Sequence, residues 1–155
     1  MVNHDAHLSI RPLRAADIPQ VSALIRNTLL LTNLPDYDLE TIQALMPTFS
    51  TEAVGALARR REMFVCEEGG RLSGVLGLEA AEVYTFFVAP DRQGHGVGRT
   101  FLHFAEDLAR KRGIKELRVS ASLTAVGFYE RLGYRRRGAE NDSRFGRTVD
   151  LLKRL

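Results

Sequence analysis

The 155 residues include one cysteine, no tryptophan and no apolar run approaching the roughly eighteen residues that a membrane helix requires. Each shortage excludes something. A lone Cys66 rules out an intrachain disulfide and any zinc site built on cysteine pairs, and its place in an apolar run reads as core. The opening Met-Val-Asn-His-Asp has neither a basic region nor an apolar centre, so the expectation is no signal peptide, no membrane and a cytoplasmic location. His4 and His7 stand near the start, His95 among glycines and His103 on a helix surface. None suits a catalytic role, and no metal is expected.

Charge is present but divided. Residues 1–91 carry 7 basic and 12 acidic side chains, a balance of −5; residues 92–130 carry 7 and 4, a balance of +3; residues 131–155 carry 8 and 3, a balance of +5. An anionic ligand is therefore drawn to the C-terminal half and a cationic partner to the N-terminal half, where Asp36, Asp38 and Glu40 cluster. The run Arg135, Arg136, Arg137 with Arg144, Arg147, Lys153 and Arg154 has only Tyr134 and Phe145 interleaved. So few aromatics make nucleic acid the less favoured partner.

A chain of this length makes one domain, divisible into an acceptor-side part at 1–61 and a core at 62–155. Residues 7–12 read as a strand ended by Pro12. Asp17 is a candidate N-cap for a helix carrying Val21, Leu24, Ile25 and Leu29, with a loop expected at 32–36. A short helix through Leu39, Ile42 and Leu45 stops at Pro47, and Ser50 caps a third through Val54 and Leu57. From Met63 the period becomes that of strands: 63–66, 72–78 and 83–88 form an antiparallel meander with turns at Gly69-Gly70 and Ala80-Ala81. Beyond the helix at 97–112 lie a strand at 117–120, a helix at 122–132 stopped by Gly133, and a closing strand pair. The fold class is α+β: a mostly antiparallel sheet with one parallel pair made by a right-handed crossover.

The stretch at 84–100 concentrates the functional signals. An aromatic and β-branched strand ends at Pro90, and Gly94, Gly96 and Gly98 follow, alternating with His95 and Val97. A helix then starts, with Val97, Phe101, Phe104, Ala105 and Leu108 on one stripe. Strand, glycine turn and helix N-terminus aim backbone N–H groups and the positive end of a dipole at one point, which suits a phosphate. Neither the dinucleotide fingerprint nor the P-loop fits, because Arg99 replaces the last glycine of the first and Gly98-Arg99-Thr100 the Gly-Lys-Ser/Thr of the second.

Gln93-x-x-Gly96-x-Gly98 after a strand ending in Val88-x-Pro90 resembles the acetyl-CoA motif of the GCN5-related N-acetyltransferase (GNAT) family. A second signature follows in residues 117–134, where Ala125, Phe128, Tyr129, Gly133 and Tyr134 resemble the family's Asn-x-x-Ala-x-x-Phe-Tyr-x-x-x-Gly-Phe, with Ser122 in place of Asn. The resemblance implies a layered α/β/α fold whose parallel central strands splay to admit acetyl-CoA. It implies diphosphate contacts from Gln93, Gly94, His95, Gly96, Val97, Gly98 and Arg99, and pantetheine along Phe86, Phe87 and Val88. The Val88 N–H then faces the thioester oxygen, and Ser122 contributes a further cofactor contact.

By the same resemblance Tyr129 is the general acid that protonates the departing thiolate. A phenol near pKa ~10 giving its proton to a thiolate whose acid is near ~8.5 runs uphill by about 2 kcal/mol in water, a difference that desolvation of the thiolate must close. Glu82 is the candidate base, with Glu79 or water as alternatives. Alternating parity on an unbroken strand sets Glu82, Tyr84, Phe86 and Val88 on one face. The expected activity is acetyl transfer to a primary amine, on a small molecule or a protein N-terminus and with a cationic acceptor as one option, by direct attack in a ternary complex. A lysine-like amine costs about 4.6 kcal/mol to deprotonate at pH 7, an α-amine near pKa ~7.7 only about 1. The alternatives are a non-catalytic acyl-CoA-binding module and acetylation of aminoacyl-tRNA. A homodimer is a further option.

Overall fold

A computed structural model describes residues 8–143 and 146–155. The readings placed on His4, His7, Arg144 and Phe145 lie outside the described residues. The chain forms β1 (Ser9–Pro12), α1 (Ile18–Thr28), α2 (Leu39–Leu45), α3 (Thr51–Arg60), β2 (Glu62–Glu68), β3 (Arg71–Glu79) and β4 (Glu82–Val88). Then come α4 (Val97–Lys111), β5 (Glu116–Ser122), α5 (Val126–Arg131), β6 (Arg135–Arg136), β7 (Asn141–Ser143) and β8 (Gly146–Arg154). The sheet runs β1-β2-β3-β4-β5-β8-β6 with β7 also on β8, and β4–β5 is its parallel pair. None of the helices among the described residues is long and apolar enough to cross a membrane.

Two apolar layers sandwich the sheet. On one face Phe101, Leu102 and Ala105 of α4 bury against Leu117, Val119 and Leu151; on the other Val21 and Ile25 of α1, Ile42 of α2 and Val54 of α3 cover Val65 and Val75. Full burial of each such side chain is worth about 1.5–3 kcal/mol, which makes the sheet a rigid support for what opens in it. Cys66 is fully buried within this core.

The opening is in the parallel pair. Pairing of β4 with β5 covers only Glu82↔Arg118 and Val83↔Val119, after which the strands part. Farther along β4, residues 84–87 lie opposite only 75–77 of β3, so one extra residue is inserted and Thr85 takes φ +51°. Such a bulge reverses side-chain parity. Val83, Phe86 and Val88 therefore share the α4 face while Phe87 joins the opposite core, so the expectation that Glu82 and Tyr84 share a face with Phe86 and Val88 is corrected. A β-branched residue at positive φ is strained. Arg61 holds it there, donating from Nη1 to Thr85 Oγ1 at 2.8 Å while its guanidinium lies 4.4 Å above the Tyr84 ring.

Three further expectations shift. Ser122 is the last residue of β5, paired with Thr148 of β8, and α5 begins only at Val126; sheet pairing overrides the helical spacing. The expected loop at 32–36 is structured: α1 widens into a π-helical turn, Leu29–Asn33, then tightens through Leu34–Asp36, where Pro35 has no N–H to extend the ladder. Asp17 precedes α1, but its carboxylate turns back to accept from the Arg14 N–H (2.7 Å) and from Arg11 (2.8 and 3.0 Å). Ser50 caps α3 as expected, accepting from the Ala53 N–H.

Candidate functional site

Two cavities meet where β4 and β5 diverge. The larger, about 470 Å³, lies between the end of β4, the 93–99 loop and α5; the smaller, about 250 Å³, lies between β5 and the α1–α2 segment. Asn33, Phe86, Phe87, Ser122, Ala125 and Tyr129 line both.

The larger cavity is polar at its glycine wall. Gly94 and Gly96 adopt φ +78° and +82°, conformations that leave their amides unobstructed by any Cβ. The amides of Val97, Gly98 and Arg99 open α4, where no preceding helical carbonyl accepts from them. Gly98 is required by packing: a Cβ there would sit 3.2 Å from Phe128 Cζ and 3.5 Å from Val88 Cγ2. Arg99 and Arg131 add positive charge to the lining, and neither forms an ion pair among the described residues, whereas Arg71 and Arg92 are paired with Asp91 and Glu68. Amides, dipole and two free guanidiniums fit a diphosphate-bearing ligand.

The register of β3 and β4 sets the direction of the Val88 amide. Ala89 N–H donates to Ser73 C=O at 2.8 Å, so the Gly74–Val88 pair is a non-hydrogen-bonded one and both polar groups of Val88 point away from β3, into the gap. On that side the Val88 carbonyl accepts from Gln93 Nε2 at 3.1 Å, and the same Nε2 reaches Thr32 Oγ1 at 3.1 Å. Gln93 thus staples the loop to the end of the strand and to the π-turn.

Tyr129 is 3% exposed, wedged edge-on among Phe86, Phe128 and Tyr134 with ring centroids 5.2–6.2 Å away. Its hydroxyl makes no hydrogen bond with any described residue. Burial pushes the phenol well above its usual range, so it stays protonated at neutral pH. The neighbouring Tyr134 differs: its hydroxyl donates to the buried Glu106 carboxylate at 2.9 Å, which Lys153 also meets at 3.1 Å.

Of the other expected site residues, Phe86, Phe87, Val88, Gln93, Gly94, Gly96, Gly98, Arg99 and Ser122 line the larger cavity. His95 is exposed and its side chain is not part of the cavity lining, and the Val97 side chain is buried in the core, so Val97 can offer only its backbone. Glu82 lines neither cavity; its carboxylate accepts from the Tyr84 hydroxyl at 2.7 Å, and Tyr84 lines the smaller one. Glu79 is held by Arg61 at 3.5 Å. Asp36, Asp38 and Glu40 are exposed and line neither cavity, with Asp38 capping α2 through the Thr41 N–H. No metal-binding cluster occurs among the described residues.

Sequence reasoning missed Thr28, Thr32, Asn33, Thr124 and Arg131 on the larger cavity and Tyr37 on the smaller. Thr124 Oγ1 is buried there without a hydrogen-bond partner. Tyr37 closes the far end: its hydroxyl donates to Arg147 C=O and accepts from Leu123 N–H, both at 2.7 Å. Gly146 makes room for it, since a Cβ there would lie 2.5 Å from Tyr37 Cε1. Of these, Thr124 and Arg131 sat inside a motif singled out from the sequence.

A mixed sheet parted at its parallel pair over a glycine turn and helix start defines the fold class of the N-acetyltransferases. A GCN5-related N-acetyltransferase structure from Rhodopseudomonas palustris superposes with TM-score 0.88 at 22% identity, covering 96% of both chains. PaiA N-acetyltransferase from Thermoplasma acidophilum, solved with coenzyme A, superposes at 0.79 with 21% identity, covering 96% of this chain and 99% of that one. A family model described as an acetyltransferase (GNAT) domain matches residues 33–154. The chain belongs to the GNAT family. An uncharacterised N-acetyltransferase of Methanocaldococcus jannaschii is 36% identical over 85 residues, a match spanning 46% of this chain and 38% of that relative's length.

Proposed function

We propose that the protein moves the acetyl group of acetyl-CoA directly to a primary amine, with the larger cavity as the coenzyme site and the smaller as the acceptor site. The observation that carries this reading is Tyr129, a buried phenol without a partner among the described residues, at the boundary of the two cavities. The diphosphate rests on the amides of Gly94 to Arg99, with Arg99 and Arg131 as counter-charges. Pantetheine runs along Phe86 to Val88, and Ser122 closes the strand-end wall. The Val88 N–H donates to the thioester oxygen as its charge builds.

The acceptor nitrogen attacks the thioester carbonyl; the C–N bond forms, the C–S bond breaks, and Tyr129 gives its proton to the departing sulfur. Glu82 takes the amine proton through the Tyr84 hydroxyl, which accepts from the amine as it donates to the carboxylate; the proton then returns to Tyr129 through solvent. That route supports Glu82 over Glu79, because Arg61 engages Glu79 and Tyr84 reaches the cavity wall. Asp36, Asp38 and Glu40, outside both cavities, can guide a cationic acceptor only on approach.

Tyr129→Phe tests the assignment. Turnover followed by coenzyme A release should fall about 100-fold, equivalent to about 2.7 kcal/mol in the barrier, with the acetyl-CoA KM and Tm nearly unchanged. Undiminished kcat would remove Tyr129 from the chemistry.

A further inference from the structure

The smaller cavity has a chemical character that its position does not dictate. No side chain lining it carries a formal charge: its polar groups are the Asn33 carboxamide and hydroxyls such as Tyr37, Tyr84, Ser120 and Thr148. Its apolar wall includes Phe49 and Phe87, packed edge to face at 5.6 Å. The nearest ionisable groups stand outside the lining. Arg61 donates to Thr85 Oγ1 and lies over the Tyr84 ring, Glu82 accepts from the Tyr84 hydroxyl, and Asp150 lies opposite Ser120 in the β5–β8 register and accepts from Asn141. A second ammonium or a carboxylate on the acceptor would be desolvated there with no counter-charge in direct contact, since Glu82 and Arg61 stand behind the Tyr84 and Thr85 side chains.

Asn33 supplies the second observation. It is 8% exposed on the π-helical turn, and its backbone carbonyl accepts from the Tyr37 N–H at 3.2 Å. Its side-chain carboxamide makes no hydrogen bond with any described residue, yet it lines both cavities beside Tyr129. The amide thus presents an acceptor oxygen and two N–H donors to the junction of the two cavities.

We propose that the acceptor is a small primary monoamine with an aromatic or branched apolar body and no second charge, its nitrogen held by the Asn33 carboxamide. This rests on the acetyltransferase reading of the same site. The cavity volume of about 250 Å³ holds roughly eight non-hydrogen atoms at a water's share of ~30 Å³ each, the size of benzylamine. Six aromatic rings, from Tyr37, Phe49, Tyr84, Phe86, Phe87 and Tyr129, face such a body.

The test compares benzylamine, 2-phenylethylamine, putrescine and glutamate at saturating acetyl-CoA by coenzyme A release, with coenzyme A binding measured separately by calorimetry. The arylalkylamines should show a kcat/KM at least about tenfold above the other two. Asn33→Leu should raise the benzylamine KM about tenfold and move the acetyl-CoA KM less than about threefold. Thr148→Asp, which adds a carboxylate to the wall, should shift the putrescine-to-benzylamine ratio at least about tenfold toward putrescine. If coenzyme A binds but turnover favours putrescine, glutamate or no amine at all, the substrate class is overturned while the coenzyme site stands. Failure to bind coenzyme A removes the reading of the site itself. An unchanged benzylamine KM in a folded Asn33→Leu protein overturns the role of Asn33, and an unchanged ratio in Thr148→Asp overturns the uncharged wall as the source of selectivity.

Discussion

Individual side chains in this protein are poised by what they lack as much as by what they touch. Tyr129 has no partner for its hydroxyl among the described residues and stays neutral through burial, whereas Tyr134, a ring's width away, spends its hydroxyl on Glu106. Two tyrosines in one aromatic cluster are thereby assigned to different tasks, one free to donate and one holding α4 to β8 through Lys153. The same scale governs acid stability. Arg11 holds the Asp17 carboxyl below its usual range, with the Arg14 amide adding to the effect. A folded-state pKa that is depressed contributes stability above the unfolded value of about 3.9, and that contribution is lost as pH falls through the folded value. Asp17→Asn should therefore lower unfolding free energy by about 1–3 kcal/mol at pH 7 in urea titrations, with the gap to the parent protein closing below about pH 3.

At the scale of elements, the glycine loop is the part most exposed to simple test. Alanine at position 96 would have to hold φ +82°, a left-handed conformation costing an L-residue about 1–2 kcal/mol, against the open space that a ligand needs. Gly96→Ala should raise the acetyl-CoA KM about tenfold while leaving the amine KM in place, measured by steady-state kinetics with each substrate varied. This loop and helix α4 were readable from the sequence because periodicity, glycine spacing and a strand-ending proline agreed there. The meander was readable for the same reason. The bulge at Thr85 was not: nothing local favours positive φ in a β-branched residue, and the contact that enforces it comes from Arg61, 24 positions earlier between α3 and β2. Asn33 was hidden likewise, inside a polar stretch with a proline that reads as loop until tertiary packing winds it into a π-turn. Ser122 carried a helical spacing that its pairing with β8 overruled. The lining of the larger cavity was therefore legible in local motifs, while that of the smaller depends on long-range contacts that leave no short signature.

For the whole molecule, the division of charge seen along the chain becomes spatial. The cavity beside the glycine turn carries Arg99 and Arg131 without acidic partners, and the smaller cavity carries no charge at all. Screening should consequently act on one substrate. Raising ionic strength from about 0.05 to 0.5 M shortens the Debye length from roughly 14 to 4 Å and should increase the acetyl-CoA KM several-fold, with kcat steady. Replacing Arg99 and Arg131 together by glutamine should flatten that dependence; a slope that survives the double replacement would locate the attraction elsewhere.

The Tyr37 hydroxyl joins residues 86 and 110 positions further along the chain, one on β5's exit and one on β8. The wall it fastens therefore cannot exist until the last strand has emerged from the ribosome and paired. The larger cavity waits for the same strand, because β5, which ends at its wall in Ser122, pairs along its whole length with β8. A premature stop before β8 would therefore leave β5 with an open edge and both cavities without a finished wall.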